Sequence, residues 1–451
     1  MNNRIKTLVA AVSTAVLMGA GSVHAGEVQS EIEALKKRLA ELEAKLKEQP
    51  KLKLTGAGLR VKDPKSKSSF KLNGRLHLDV NSFDGAYNAK NNGDSASDVF
   101  ARRARIGVSG NLDQDWSYQF VMAFAGGNRG GSNREDGRIQ NAILSYNGFK
   151  RNGGPQIQLG KIKEDVTLEA VTSSNHLTTM SRSAIVNSVS PFFNWGVRVN
   201  QRFKNSGLRY AAGLYQAADG SSNGRDSKDG NNLLAFTGRV NWAPFAETGK
   251  VLHLGAWGSY RDFGGNGLRN RARGEIRNTN VRLLDSNAGG SSIAVDKITE
   301  YGLEFAGVTG PLSLQAEYIE RGADTVLSSD PEPTLDGYYV TASYFLTGES
   351  RHYDAAKGVF KQPKGVRNAW ELYARYSNAD ASFNNPSLAA GSQGTELDVL
   401  TLGVSYFASP QLRFMLNYQD AEVSGSSAAT NALVGDQVDG KGLTFRTQYT
   451  F

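Results

Sequence analysis

The chain has 451 residues, no cysteine, 50 glycines against 11 prolines, and a formal net charge of +8. Without cysteine, disulfides and thiolate metal sites are excluded. After residue 25 no run of about 18 apolar residues occurs, which excludes a spanning helix but not a transmembrane β-barrel, whose strands alternate lipid-facing and lumen-facing residues.

In chain order, "MNNRIK" is a basic opening, "TLVAAVSTAVLMGAG" an apolar run too short to span, and "VHA" a small-residue cleavage site before Gly26. Residues 1–25 are therefore expected to be an export signal. Loss of Arg4 and Lys6 takes the charge from +8 to +6, still basic. Val28, Ile32, Leu35, Leu39, Leu42 and Leu46 alternate spacings of four and three, the seam of a coiled coil. Residues 26–50 are thus expected to form a periplasmic coiled-coil segment, with one amphipathic helix lying on its own protein as the plainer alternative. Residues 51–69 form a basic linker with one short strand pair.

From Phe70 the period changes to two. Phe70, Leu72, Leu76, Leu78 and Val80 alternate with Lys71, Asn73, Arg75, His77 and Asp79. Similar segments recur to the end, where Leu443, Phe445, Thr447, Tyr449 and Phe451 alternate with Thr444, Arg446, Gln448 and Thr450. About sixteen such segments follow one another, joined alternately by short turns and long polar loops. Aromatics at strand ends and a final aromatic fit a membrane girdle. Arg75, Arg103, Arg105, Arg198, Arg202, Arg209, Arg239, Arg261, Arg375, Arg413 and Arg446 fall on the polar parity, against few acids (Asp79, Glu304, Glu317 and Glu371). A dry core could not hold them unpaired, so the expected fold is all-β: residues 70–451 form an antiparallel barrel around a water-filled, basic lumen.

Two stretches break the hairpin rhythm. Residues 163–190 are long and lack alternation, and are expected to fold inward as a constriction loop. Residues 263–298 carry "GLRNRARGEIR", in which Arg269, Arg271 and Arg273 share one face of an extended chain about 7 Å apart, followed by Arg277. "FARRAR" adds Arg102, Arg103 and Arg105; Arg103 and Arg105 face the lumen, and Arg102 requires a bulge or a snorkelling side chain. Arginine stays charged at any relevant pH, and its planar fork suits oxyanions. A basic lumen therefore predicts anion selectivity. A solvated surface loop facing acidic lipid is the plainer reading of the ladder.

The stretches "FKLNGRLHLDVNSFDG", "FARRAR", "DWSYQF", "TSS" at 172–174, "VLHLGAWGSYRD", "GYYVTASYFLTGE", "WELYARY" and "GLTFRTQYTF" resemble, in the same order, the phosphate-selective porin family (porins O and P) of Gram-negative outer membranes. The resemblance covers about Phe70 to Phe451. It implies a sixteen-stranded barrel, a homotrimer in outer-membrane lipid, and arginines of an inward loop that lead inorganic phosphate or other small anions to a narrow site. On this chain it implies Arg269, Arg271, Arg273 and Arg277 as the loop ladder, Arg75, Arg102 and Arg103 as central basic residues, and Ser173 and Ser174 as constriction hydroxyls. Three positions depart from the family pattern: Ala170 stands where a lysine is expected, and Arg105 and Lys163 where aromatics are. The positive charge is redistributed, which keeps anion selectivity and loosens orthophosphate specificity.

Other functions are weaker. His77, His176, His253 and His352 lack companions with catalytic or metal-ligand spacing, so no enzyme and no cofactor is expected. "DGSSNGRDSKDGNN" at 219–232 has the Asp/Asn alternation of a calcium loop but is interrupted by Arg225 and Lys228. Gly-rich "AGGNRGGSNREDG" is not followed by a helix and is no phosphate cradle. Export argues against nucleic acid. A general anion or nonspecific porin whose residues 26–50 tether it to the cell wall is the alternative, and a sugar porin would need lumen aromatics in a track.

Overall fold

The computed structural model describes residues 25–55, 58–125, 137–217, 233–286, 292–384 and 392–451. Residues 1–24 of the expected export signal, the calcium-like stretch and most of the Gly-rich stretch lie outside the described residues. An α-helix, α1 (Ala25–Glu48), precedes a short hairpin of Lys51–Thr55 and Gly58–Lys62.

The barrel strands are β1 (Ser69–Phe83), β2 (Ala96–Asn111), β3 (Trp116–Ala123), β4 (Arg138–Tyr146), β5 (Gln156–Lys163), β6 (Phe193–Arg202), β7 (Leu208–Gln216) and β8 (Leu234–Glu247). They continue as β9 (Lys250–Leu268), β10 (Ile293–Thr309), β11 (Leu312–Thr325), β12 (Leu335–Phe345), β13 (Ala369–Asn384), β14 (Ser392–Phe407), β15 (Leu412–Gly425) and β16 (Asp439–Thr450). Each pairs antiparallel with the next, and β16 pairs with β1 from Gly442↔Phe83 to Thr450↔Arg75, which closes sixteen strands into a barrel. Closure leaves no open barrel edge, the condition for a sheet in lipid.

The period-two pattern sets the two faces. Along β1, Leu76, Leu78 and Val80 are exposed outward while His77, Asp79 and Asn81 are buried inward. Tyr260, Tyr301, Tyr318, Tyr338, Tyr376 and Tyr418 form an outward band at the long-loop end; Trp116, Trp242, Tyr344, Trp370 and Tyr449 form another at the short-turn end. Aromatic rings with polar edges favour the two membrane interfaces, so the bands mark the thickness of the apolar belt.

The hairpin continues the wall at the short-turn end, because Arg60, Val61 and Lys62 pair with Lys71, Phe70 and Ser69. Its cations lie cross-strand to one another, Lys51↔Lys62 and Lys53↔Arg60, on the face of Lys71. That is the lumen parity of β1, and Leu52, Leu54, Leu59 and Val61 take the opposite face.

The lumen differs from the expectation of a water-filled basic tube. Two long connections enter it and bury apolar side chains: Val166, Ile185, Val186 and Val189 from one, Ile276, Val281, Leu283 and Leu284 from the other, against Ile319, Leu335, Val399 and Val423 of the wall. Each fully buried aliphatic side chain contributes about 1.5–3 kcal/mol, enough to hold a loop that lacks regular structure.

A third inward connection was not foreseen. Residues 346–368 join β12 to β13 at the short-turn end and fold into the barrel as a hairpin of His352–Asp354 and Val359–Lys361. Tyr353 Oη lies 2.6 Å from His253 Nδ1, and Arg239 Nη2 donates to the Gly358 carbonyl at 3.0 Å. The signal in the sequence was its length, out of keeping with the other connections at that end.

Candidate anion path

The constriction loop runs over residues 164–192, with short helices α2 (Leu168–Val171) and α3 (Ala184–Val189). Thr167, at φ 56°, caps α2 by accepting from Ala170 N at 2.8 Å, and Phe192, at φ 59°, ends the loop. Left-handed backbone at residues with a Cβ persists only where packing and hydrogen bonds fix it.

Wall arginines supply much of that fixing. Arg413 donates to the carbonyls of Leu177 (2.7 Å) and Thr178 (3.0 Å), Arg446 to that of Met180 (2.6 Å), Arg375 to that of Ser181 (2.9 Å), and Arg321 to that of Ser188 (3.2 Å). Loop carboxylates return the contact. Glu164 accepts from Arg261 at 2.7 Å, Asp165 from Arg209 at 3.1 Å and also from Arg198, and Glu169 from Arg375 at 3.1 Å. Burial would raise the Asp165 carboxyl, but Arg198, Arg209 and Arg239 outweigh it and hold the group below its ordinary range.

This corrects the reading of the lumen arginines as poorly matched by acids. Arg239 pairs with Glu304 (2.8 Å), Arg261 also with Glu300 (3.2 Å), Arg413 with Glu371 (3.1 Å), and Arg446 with both Asp79 oxygens (2.6 Å each). The missing partners come from the inward loops and from Glu300. A partnered pair offsets the cost of burying each charge, so these arginines build the pore wall and its loop rather than a free cation surface.

The opposite side of the lumen is different. Arg105 and Arg75 are register neighbours on β2 and β1, as are Arg103 and His77. The register slips between His77 and Leu78, and Arg102 occupies the bulge. Arg75 Nη1 donates to Ser174 Oγ at 2.9 Å and Ser173 Oγ at 3.3 Å. Lys163 donates to the Ala170 carbonyl at 2.8 Å and lies 5.3 Å from the centre of the Phe193 ring. Among the described residues, Arg75, Arg102, Arg103, Arg105 and Lys163 have no carboxylate partner. Ala170 is buried and packs with the apolar loop residues.

The second inward loop, described over 269–286, holds the arginine motif. Its strand form is confined to Arg271–Ala272, paired with Leu284–Asp285. The expected single extended face over Arg269, Arg271 and Arg273 is therefore corrected, since a local ribbon and a left-handed Glu275 (φ 68°) redirect the chain. Arg269 is not a free member of a ladder: Asp285 accepts from it at 2.6 and 2.7 Å. Glu275 ties this loop to the other by accepting from Ala184 N (3.1 Å), Ser377 (2.7 Å) and Arg375.

Arg271, Arg273, Arg277 and Arg282 line a cavity of about 160 Å³ between the loops, with Ser181 and Arg321 on its other side. Burial, then Arg273, Arg282, Arg182 and Arg446, draw the Arg277 guanidinium down to about 10; burial, then Arg271 and Arg273, do the same to Arg282. Both stay charged at neutral pH. Sequence reasoning missed Arg182, Arg282 and Arg321, and the acids Glu164, Asp165, Glu169 and Glu275. Isolated charges in loops carry no periodic signal; Arg321 lies instead on β11, at the lumen parity of Glu317, where alternation could have found it. Arg182 holds its own loop together, donating to the carbonyls of Glu169 (2.9 Å), Ala170 (3.2 Å) and Thr172 (2.9 Å).

The arrangement can attract anions at the cavity and strip part of their hydration at Arg75, Arg103, Arg105 and the two serines. Residues 70–451 match the family described as "Phosphate-selective porin O and P". Porin O of Pseudomonas aeruginosa is 29% identical over 424 residues, 88% of this chain and 92% of that protein. The anion-selective porin from Comamonas acidovorans superposes with a TM-score of 0.53 at 13% identity, covering 85% of this chain and 100% of that one. The trimer form of OmpT from Vibrio cholerae gives 0.52 at 13%, covering 85% and 99%. These two structural likenesses speak to the fold alone.

Proposed function

Because the chain belongs to the phosphate-selective porin O and P family, and is an outer-membrane porin, we propose that it passes phosphate and related oxyanions by diffusion along the path from the loop cavity to Arg75, Arg103 and Arg105. The observation that carries this reading is the group of cations without carboxylate partners beside the Ser173 and Ser174 hydroxyls. The family and fold point to a channel rather than an enzyme.

Arg271, Arg273, Arg277 and Arg282 gather anions from the long-loop side. Their fields overlap within a Debye length of about 8 Å at physiological salt, so an anion passes from one to the next without falling into one deep well. Each contact is worth about 1 kcal/mol in water and more where the path is dry. Several moderate sites in series let an ion enter and leave, whereas one tight site would trap it. With Ala170, Arg105 and Lys163 departing from the family pattern, the path is read as open to oxyanions beyond orthophosphate. A general anion porin is the second reading, favoured by Arg269 being held by Asp285.

The remaining assignments are part of the same proposal. Residues 1–25 are the export signal. The short-turn end is periplasmic, with 26–50 forming a coiled coil below the membrane, 51–69 a basic linker and 70–451 the porin domain. Leu35, Leu39, Leu42 and Leu46 of α1 are all exposed in a single chain, as a seam awaiting identical copies would be. This supports a homotrimer; contact of the same segment with the cell wall belongs to the alternative, a general anion or nonspecific porin with a tether. The test is reconstitution in a planar bilayer. Anion over cation selectivity, with chloride current blocked by added phosphate, is expected. Cation preference would overturn the reading, and anion preference without block would leave the general anion porin.

A further inference from the structure

We infer that His77 is a positioning residue of the anion path, working as a neutral imidazole with its proton on Nε2. Two hydrogen bonds fix this state. Arg103 Nη1 lies 3.3 Å from His77 Nδ1, and His77 Nε2 lies 3.1 Å from Asn175 Oδ1. A guanidinium can only donate, so Nδ1 must offer its lone pair. The proton then sits on Nε2 and is donated to Asn175. One neutral tautomer satisfies both contacts, and neither the other tautomer nor the imidazolium does.

The geometry gives this bridge a function. His77 is fully buried on β1, two residues after Arg75 and two before Asp79. Its partner Asn175 directly follows Ser173 and Ser174, the hydroxyls that meet Arg75. The Asn175 carbonyl is also held by Gln448 Nε2 at 3.1 Å, and Gln448 is the register neighbour of His77 on β16. His77 therefore keys the serine segment of the constriction loop to the wall with one nitrogen and aims Arg103 with the other. The two halves of the narrow site, hydroxyls and guanidinium, are set by one ring.

Cations crowd the ring. Arg75 and Asp79 face it from its own strand, Arg103 from β2 and Arg446 from β16, and Asp79 is already taken by both arms of Arg446. A proton on Nδ1 would break the Arg103 contact and add a fourth cation to three.

This inference rests on the anion-channel reading. The test is sulfate block of chloride current, since sulfate keeps its charge across the pH range used. Wild type, His77→Gln, His77→Leu and Asn175→Leu are compared in planar bilayers at pH 8 and 5.5. Glutamine can donate to Asn175 and accept from Arg103, so it should stay within about threefold of wild type, while leucine should raise the half-blocking concentration about tenfold. Asn175→Leu, a loop change that spares the wall, should lose a similar amount and keeps the test open should His77→Leu not assemble. Half-block in wild type should be the same at both pH values. Equal block in all variants, or equal loss in His77→Gln and His77→Leu, overturns the inference. So does tighter block at pH 5.5 that His77→Gln abolishes, because the ring would then be working as a cation. A wild-type pore without anion preference or block defeats the channel reading itself.

Discussion

Arg75 and Ser174 are 99 residues apart in the chain and 2.9 Å apart in the lumen, with the guanidinium of β1 donating to a hydroxyl of the constriction loop. The contact joins a wall cation to a group that can both donate and accept. An oxyanion arriving at Arg75 therefore meets a hydroxyl that can turn its proton outward. Replacing Ser173 and Ser174 together by alanine should weaken phosphate block about fivefold to a hundredfold while leaving anion preference in place, since each lost hydrogen bond, partly replaced by water, costs at least about 0.5–1.5 kcal/mol. Bilayer titration of the double variant checks this, and unchanged block would remove the serines from the path.

Arg103→Ala with Arg105→Ala should weaken anion binding more than Arg269→Ala. The first pair has no carboxylate partner, whereas Arg269 is neutralised locally by Asp285. A larger effect from Arg269, read as half-block by phosphate, would move the narrow site into the second loop.

Glu164→Ala should destabilise the folded barrel by about 3–5 kcal/mol, the usual cost of stranding a buried ion partner. Glu164 accepts from Arg261 (2.7 Å), Thr237 (2.7 Å) and Asn194 (2.6 Å), so its loss frees the start of the constriction loop from the wall. Thermal unfolding in detergent measures the loss; a melting point equal to wild type would show the loop to be held elsewhere.

Acid should weaken the constriction loop through His176. Burial, then Arg75, Lys361, Arg413 and Arg351, push this imidazole down to about 3. Its ordinary value is about 6.5, so the unfolded chain takes up the proton first and stability falls as pH drops from about 7 toward 4. At pH 5 the loss from this group is about 2 kcal/mol. His176→Leu should flatten that slope in melting curves at pH 7 and 5, and an identical slope in both proteins would clear His176 of the effect.

Leu39→Lys with Leu42→Lys should weaken association of α1 without changing the conductance of a single pore. Both leucines are exposed on the heptad seam, and a charge there cannot be buried between helices. Seminative gel mobility and single-channel current read the two effects separately; an undisturbed oligomer would leave the seam to another partner.

The barrel was legible in the sequence because its cause is periodic. Alternation at period two places Leu76, Leu78 and Val80 in lipid and His77, Asp79 and Asn81 inside, and this holds whatever the neighbouring strand is. The bulge at Arg102 was legible for the same reason: three basic residues nearly adjacent cannot all share one face. All the family motifs but Thr172–Ser174, which sits in the constriction loop, likewise lie on strands or just after them.

What only the tertiary structure decided is which cations are free. Parity puts Arg239, Arg261, Arg375, Arg413 and Arg446 in the lumen with Arg75, Arg103 and Arg105, and nothing local separates the two groups. Their separation depends on which acid closure brings to each: wall acids Glu304, Glu371 and Asp79 reach Arg239, Arg413 and Arg446, while Glu164 and Glu275 reach Arg261 and Arg375 on loops whose shape rests on buried side chains and left-handed residues rather than on any repeat. The ladder at 269–277 shows the same limit: its spacing is written in the sequence, but Asp285 and the turn at Glu275 decide how many of its arginines face an anion. Period-two strands are set residue by residue, while free charge in a lumen is a balance over the whole closed barrel.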